Sequence, residues 1–341
     1  MNKLPKILFR TSGGTAFGKE LGMGHIYRSI NLATHLKKSK LFFLIEDYGS
    51  SKEVVSQRNF KQIFTLKKNI SLHDDINQTI QFIKKYDIEI LIIDKYDLKL
   101  KFVKKLTKIV TTIVISDLKR IDFPATLVFN GFIGFKNKSI LNKYGTKCFL
   151  GPNYQILDSR FSKKLKLKKK YDLLTTFGGF DEKDLSNMII KKLSSSDYNF
   201  KVKLILGPAY DNTKLKKIKK TKHLSLDVIK QTNNLQKEIA QSKFVICSGG
   251  ITTYELCNME TPFAIICQVK HQTLTAKEWE KKGIAINLGM PNTHLNKKLT
   301  LCLASLIKKP IKLKSNSKIV DGFGGERVSD EILKFYNLSK L

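Results

Sequence analysis

Along the chain, short runs of consecutive apolar residues alternate with longer stretches in which apolar residues return every three or four positions. Ile7 to Thr11, Leu41 to Ile45, Ile88 to Ile93 and Ile113 to Ile115 are apolar on nearly every residue, as strands covered on both faces of a parallel sheet must be. Between them Ile26 to Leu36, Ile76 to Tyr86 and Leu98 to Ile109 carry the helical period. After the basic segment Lys163 to Lys170 the alternation resumes, with strands at Tyr171 to Thr176, Val202 to Leu206, Phe244 to Cys247 and Phe263 to Cys267. Helices are expected from Lys183, over Leu235 to Gln241, over Thr252 to Asn258 and over Thr273 to Lys282. Strand and helix in strict turn predict an α/β fold of two doubly wound parallel sheets. The boundaries expected are a first Rossmann-like domain over residues 1–150, a linker over 151–170, a second such domain over 171–320 and a C-terminal helix over 321–341. Open sheets of this kind bind ligands outside the carboxyl ends of their strands, so the two are expected to face a shared cleft.

The length of 341 residues and an apolar share of 42% suit two such cores and exclude a disordered chain. The formal charge of +33 invites a nucleic-acid reading. The charge, however, is spread along the whole chain and comes from 56 Lys against 6 Arg, whereas base and phosphate readers favour the Arg fork. Lys163 to Lys170 and Lys214 to Lys220 read as solvated faces, and no nucleic-acid partner is expected. Cys148, Cys247, Cys257, Cys267 and Cys302 form no CxxC pair, are odd in number and lie in apolar segments, so they read as small hydrophobes, and no metal site is expected. The N-terminal apolar run is too short for a signal peptide, and no stretch reaches the ~18 apolar residues of a membrane span. The expectation is a cytoplasmic protein without integral membrane contact.

Chemistry concentrates where strands run into glycines. The strand ending at Thr11 is followed by Gly13, Gly14, Gly18, Gly22 and Gly24, and then by the helical segment opening with His25 and Arg28. Glycines let backbone amides approach an anion, and a helix N-terminus adds its positive dipole end. At that end the dipole disfavours an imidazolium, so His25 is expected to stay neutral and able to take a proton. The alternative is a histidine that merely satisfies its own loop. A second constellation, Ser248-Gly249-Gly250 before a helix from Thr252, offers amides to a diphosphate, and Glu255, one turn on, can accept ribose hydroxyls. A plain strand-turn-helix explains the same residues without function. Tyr96 falls on the loop after Asp94, either to hold a water or leaving oxygen or as half-buried packing. Gly178 and Gly179 repeat the strand-to-glycine device as hinge or cleft lining, with Asp181 placed as a helix cap.

Taken together, "GMGHIYRSINLATHL", "LIIDKY", "LGPNY", "FGGFD", "SGGITTYEL" and "VKHQTLTAKEWEKKG" resemble, in order and spacing over almost the whole chain, the UDP-2,4-diacetamido-2,4,6-trideoxy-β-L-altropyranose hydrolases of pseudaminic acid biosynthesis. Those enzymes are related to the N-acetylglucosaminyltransferase that makes lipid II and to spore-coat polysaccharide proteins. The resemblance implies the two-domain GT-B fold and cleavage of the C–O bond at the anomeric carbon of a UDP-sugar, with water as acceptor, inversion and release of UDP, without cofactor or metal. It implies His25 and Tyr96 as catalytic residues. It implies Ser248, Gly249 and Glu255 at the uridine diphosphate site and Gln272 near the sugar phosphate; Gly22, Gly24, Arg28, Tyr154, Gly178, Gly179, Gly250, Thr252 and His271 are expected to bind substrate with them. The chain departs from the family's Asp-His-Tyr at Asp94-Lys95-Tyr96, from its Asn-Gln at His271-Gln272, from its Arg-x-Asp at Arg10-Thr11-Ser12, and from the Arg after "GPNY" at Asp158. Two other readings share parts of this pattern. One is an inverting GT-B glycosyltransferase in which His25 activates a sugar hydroxyl, and the other a basic protein that binds RNA or an anionic glycan.

Overall fold

The structure, a computed structural model, describes residues 5–14, 22–179, 181, 183–196, 198–207, 210, 223–308 and 319–340. Gly18 and the Lys214 to Lys220 run lie outside them. The chain divides into two compact units, Met1–Ser159 with Gly322–Leu341, and Arg160–Asp321.

The first unit is built on eight strands: β1 (Lys6–Gly14), β2 (Lys40–Tyr48), β3 (Ile63–Leu66), β4 (Ile90–Asp94), β5 (Thr111–Ser116), β6 (Leu127–Asn130), β7 (Lys138–Leu141) and β8 (Lys147–Leu150). They lie in the order β3-β2-β1-β4-β5-β6-β8-β7, parallel except for β7, which closes the edge antiparallel to β8. The helices are α1 (Gly24–His35), α2 (Ser51–Ser56), α3 (Leu72–Tyr86), α4 (Leu100–Leu106) and, from the C-terminus, α10 (Gly324–Leu338). Side chains alternate along β1, so Ile7 and Phe9 pack with Ile26 and Ile30 of α1 and Val328 and Ile332 of α10. Leu8 faces the other way, toward Phe102 and Val103 of α4. Both faces are therefore covered, which is why these strands read as unbroken apolar runs.

In the second unit β9 (Tyr171–Thr176), β10 (Phe200–Ile205), β11 (Leu224–Ile229), β12 (Ser242–Cys247), β13 (Phe263–Ile266) and β14 (Ala285–Gly289) form a parallel sheet in the order β11-β10-β9-β12-β13-β14. Its helices are α5 (Leu185–Ser194), α6 (Leu235–Ala240), α7 (Thr252–Asn258), α8 (Gln272–Lys281) and α9 (Leu295–Lys308). In each sheet the order reverses beside the first strand, between β1 and β4 and between β9 and β12. Asp94 ends β4 and His25 opens α1, while Gly178 and Ser248 lie on the turns after β9 and β12. The α5 cap is displaced from simple expectation. Asp184 holds the N-cap position without a side-chain capping bond, its oxygens taking Tyr210 Oη (2.6 Å) and Asn187 Nδ2 (3.1 Å), while the buried Asp181 carboxylate accepts the amides of Leu185 (2.9 Å) and Ser186 (2.8 Å).

Helix α10 is tied to the first unit by Glu89. Its carboxylate accepts hydrogen bonds from Tyr336 Oη (2.6 Å), Lys340 Nζ (2.9 Å) and the Lys6 amide (2.9 Å). Burial resists the charge, but these three donors overcome it and pull the pKa down to about 2. A carboxylate with a depressed folded pKa stabilises in full above its unfolded value and loses that contribution as pH falls through the folded one. Glu89→Gln is therefore less stable than the parent in urea at pH 6, and the difference between the two closes as pH falls from about 4.5 toward 2.

Candidate active site

The turn into α1 depends on glycine at two points. Gly22 has φ +53, and a Cβ on Gly13 would stand 2.6 Å from Ile26 Cγ1, so β1 and the start of α1 could not approach as they do. Gly14 N donates to Gly22 O (3.1 Å). His25 is then the second residue of α1, and Arg28, three residues on, shares its face.

That face meets the end of β4. His25 Nδ1 lies 2.6 Å from Oδ1 of Asp94, a carboxylate only 1% exposed. Arg28 grips the same carboxylate through Nε (2.7 Å) and Nη2 (2.6 Å), and its outer edge holds Asp117, on the loop after β5, through Nη1 and Nη2 (3.0 Å to Oδ2). Burial works against the Arg28 charge, but Asp117 and Asp94 together hold its pKa well above the ordinary value. A carboxylate only accepts, so Nδ1 of His25 carries a proton, and in the neutral ring Nε2 is the acceptor. Arg28 Nη2 also comes within 3.2 Å of Nδ1, but a guanidinium can only donate, and the shorter bond to a full negative charge decides the tautomer. Dipole alone was the expected influence on this ring. Its immediate partner is instead Asp94, 69 residues away in sequence. Arg28, expected to bind substrate, has its donors spent on two carboxylates.

A second charged cluster occupies the opposite face of the same strand ends, one residue out of phase. Arg10, fully buried, pairs with Asp75 of α3 through Nε (2.8 Å) and Nη2 (2.9 Å) and reaches Glu46 of β2 at 3.4 Å. Lys95 Nζ joins Asp75 at 2.5 Å. Glu46 lies opposite Ser12 in the β1–β2 register. The side of the site where the strand lacks a carboxylate at Ser12 thus receives one from the neighbouring strand. Tyr96 follows on the same loop and is 42% exposed.

In the second unit the turn after β12 leads into α7. Among the described residues the amides of Gly250, Ile251 and Thr252 donate to no acceptor, as the first turn of a helix leaves them. Gly249 differs from expectation because its amide reaches Gln272 Oε1 at 3.3 Å, and the same oxygen takes the Gln268 amide at 2.9 Å. Gln272, expected near the sugar phosphate, therefore braces two loops. A Cβ on Gly249 would stand 2.9 Å from Gln272 Cβ. Gln268 Nε2 bonds Phe177 O (2.8 Å), tying in the loop of Gly178, whose φ is +77. Gly207, which the sequence reading passed over, closes the group. A Cβ there would fall 2.3 Å from the carbonyl oxygens of Gly178 and Gly179. Glu255 is half-buried in the first turn of α7, and its charge adds to burial in raising the Cys247 thiol pKa. Ser248 is buried, Thr252 half-buried and His271 exposed at the start of α8. Tyr154 packs within the first unit, its ring 5.4 Å from Phe149 and 6.0 Å from Phe129. That is a core contact where a substrate contact was expected. The five thiols are buried, and none forms a disulfide.

Two parallel-sheet units in this strand order are the GT-B fold, and solved structures agree. MurG of Acinetobacter baumannii matches with a TM-score of 0.64 at 13% identity, covering 97% of this chain and 100% of that one. The S. aureus MnaA–UDP co-structure matches at 0.63 and 13%, covering 98% of each. The chain is thus a GT-B protein, and its residues 163–332 match the glycosyltransferase family 28 C-terminal domain. It is similar to the spore coat polysaccharide biosynthesis protein SpsG of Bacillus subtilis, 28% identical over 338 residues that cover 94% of this chain and 96% of the relative. It is also similar to the UDP-2,4-diacetamido-2,4,6-trideoxy-β-L-altropyranose hydrolase of Campylobacter jejuni, at 26% over 290 residues, 82% of this chain and 98% of the relative. The uncharacterized protein MJ1062 of Methanocaldococcus jannaschii is 26% identical over 308 residues, 85% of this chain, which spans 60% of that longer protein. No helix among the described residues is long and apolar enough to cross a membrane.

Proposed function

We propose that this protein is a nucleotide-sugar hydrolase that cleaves a UDP-linked diacetamido-trideoxyhexose to free sugar and UDP, in the cytoplasmic assembly of a pseudaminic-type acid or a surface polysaccharide. The observation that carries the reading is His25. A buried carboxylate fixes its Nδ1–H, and Nε2 is left as a proton acceptor at the switch point of an open sheet. The names of the Campylobacter and Bacillus relatives support the substrate class and the setting. The co-structure of a GT-B neighbour with UDP supports the nucleotide.

In this account water attacks C1 as its proton passes to His25 Nε2, and the bond from C1 to the phosphate oxygen breaks with its electron pair leaving on UDP. Tyr96 orients the water. The transition state is oxocarbenium-like, and the departing diphosphate is met by the amides of Gly250, Ile251 and Thr252 at the N-terminus of α7. Glu255 takes the ribose hydroxyls. Attack from the face opposite the leaving group inverts the anomeric centre. Proton NMR of the protein with UDP-2,4-diacetamido-2,4,6-trideoxy-β-L-altrose checks this. The first sugar signal to appear is that of the inverted anomer, and a retained anomer overturns the single-displacement account.

The family 28 match favours one second reading, transfer to a glycan hydroxyl in place of water. Incubation of the donor without acceptor separates the two, because only a hydrolase releases free sugar at an enzymatic rate.

A further inference from the structure

We propose that Arg28 and Asp117 act as positioning residues that set the charge around His25, the guanidinium opposing and the carboxylate favouring the uptake of a proton by its ring. This rests on the reading of His25 as the base.

Among the described residues the charged groups that meet the ring come from three elements: Arg28 from its own helix, Asp94 from the end of β4 and Asp117 from the loop after β5. Asp94 is in contact at 2.6 Å and Asp117 Oδ2 stands 3.9 Å away. Asp94 alone would serve to orient the ring, and Asp117, on the far side of Arg28, adds a second negative charge beside the guanidinium. Asp117 is 46% exposed on its side chain while Arg28 is 7%. The offsetting charge therefore stands at the solvent edge, where its removal does not open the core.

The arrangement makes two substitutions act in opposite senses. Arg28→Gln raises the negative charge around the neutral ring, so the ring holds a proton to higher pH before any substrate arrives. Asp117→Asn lowers the negative charge, so the ring gives up its proton at lower pH. A role confined to holding the fold would move both variants the same way or neither.

The test follows the six histidine rings of the full-length protein by NMR after 13C labelling, with His25 assigned through His25→Asn. The midpoint of His25 titration is expected to move up in Arg28→Gln and down in Asp117→Asn, and to return toward the parent in Arg28→Lys, which restores the charge without the fork. With UDP-2,4-diacetamido-2,4,6-trideoxy-β-L-altrose as probe, the acid limb of kcat/KM moves in the same directions, and Arg28→Gln loses about tenfold or more at pH 7. Midpoints that stay put, or move together, overturn the proposal. Opposite displacements with no hydrolysis of the probe by the parent protein leave the charge assignment standing and sink the catalytic reading of His25. Should Arg28→Gln fail to fold, Asp117→Asn and Arg28→Lys decide it, since a midpoint lowered in the first and near the parent in the second is required.

Discussion

Replacing His25 by Asn removes turnover by a factor on the order of 10³, while UDP binds the variant with nearly unchanged affinity. The asparagine amide can still donate to Asp94, so the pairing that fills this part of the site is retained and only the acceptor at Nε2 disappears. UDP affinity is the control because the residues assigned to it, Ser248 to Thr252 and Glu255, belong to the other unit. Rate measurements at saturating donor, with calorimetry against UDP, separate the two quantities. Activity within a few-fold of the parent would remove His25 from the role of base. A parallel loss of UDP affinity would assign the residue to binding.

The largest effect on stability is expected at Asp75. Its carboxylate neutralises two cations, Arg10 with no exposed surface and Lys95 with little. Burial raises the cost of its charge, yet Arg10 and then Lys95 keep its pKa below the ordinary carboxylate range, and burial together with Arg10 lowers that of Lys95. In Asp75→Ala, Glu46 alone must answer both. Breaking a buried pair from one side typically costs about 3–5 kcal/mol. The urea midpoint of Asp75→Ala should fall accordingly, with little change in the slope of the transition. Arg10→Met with Asp75→Leu should recover most of the loss, because the uncompensated charge is then gone. A single variant as stable as the parent would show that water reaches Arg10 and that this cluster does not hold the strand ends together.

The parallel strands were legible because burial on both faces leaves Ile7–Phe9 of β1, Leu41–Ile45 of β2 and Ile90–Ile93 of β4 without a polar residue, and Tyr171–Thr176 and Thr252–Asn258 fall where the pattern puts them. The shorter strands to either side of them were not. β3, β6, β7 and β8 have four residues each, and β7 is exposed along most of its length, so no period can develop. For the site, glycine before a helix announced the position of His25, but nothing local announced its partners. Asp94 and Asp117 reach Arg28 across 66 and 89 residues, and only the sheet order brings the ends of β4 and β5 beside the start of α1. Arg28 and Gln272 read as ligands because polar side chains near glycine loops often are. In the structure Arg28 also pairs with two carboxylates, Gln272 Oε1 accepts the amides of two loops, and the Tyr154 ring packs near Phe129 and Phe149.

The account stands or falls on which bond is cut and by what. Hydrolysis of UDP-2,4-diacetamido-2,4,6-trideoxy-β-L-altrose in H₂¹⁸O, stopped early and analysed by mass spectrometry, reads this directly. The label is predicted in the anomeric hydroxyl of the released sugar and none in UDP, with the signal lost in His25→Asn. Label in the β-phosphate of UDP, or no sugar released until a glycan acceptor is added, would contradict it.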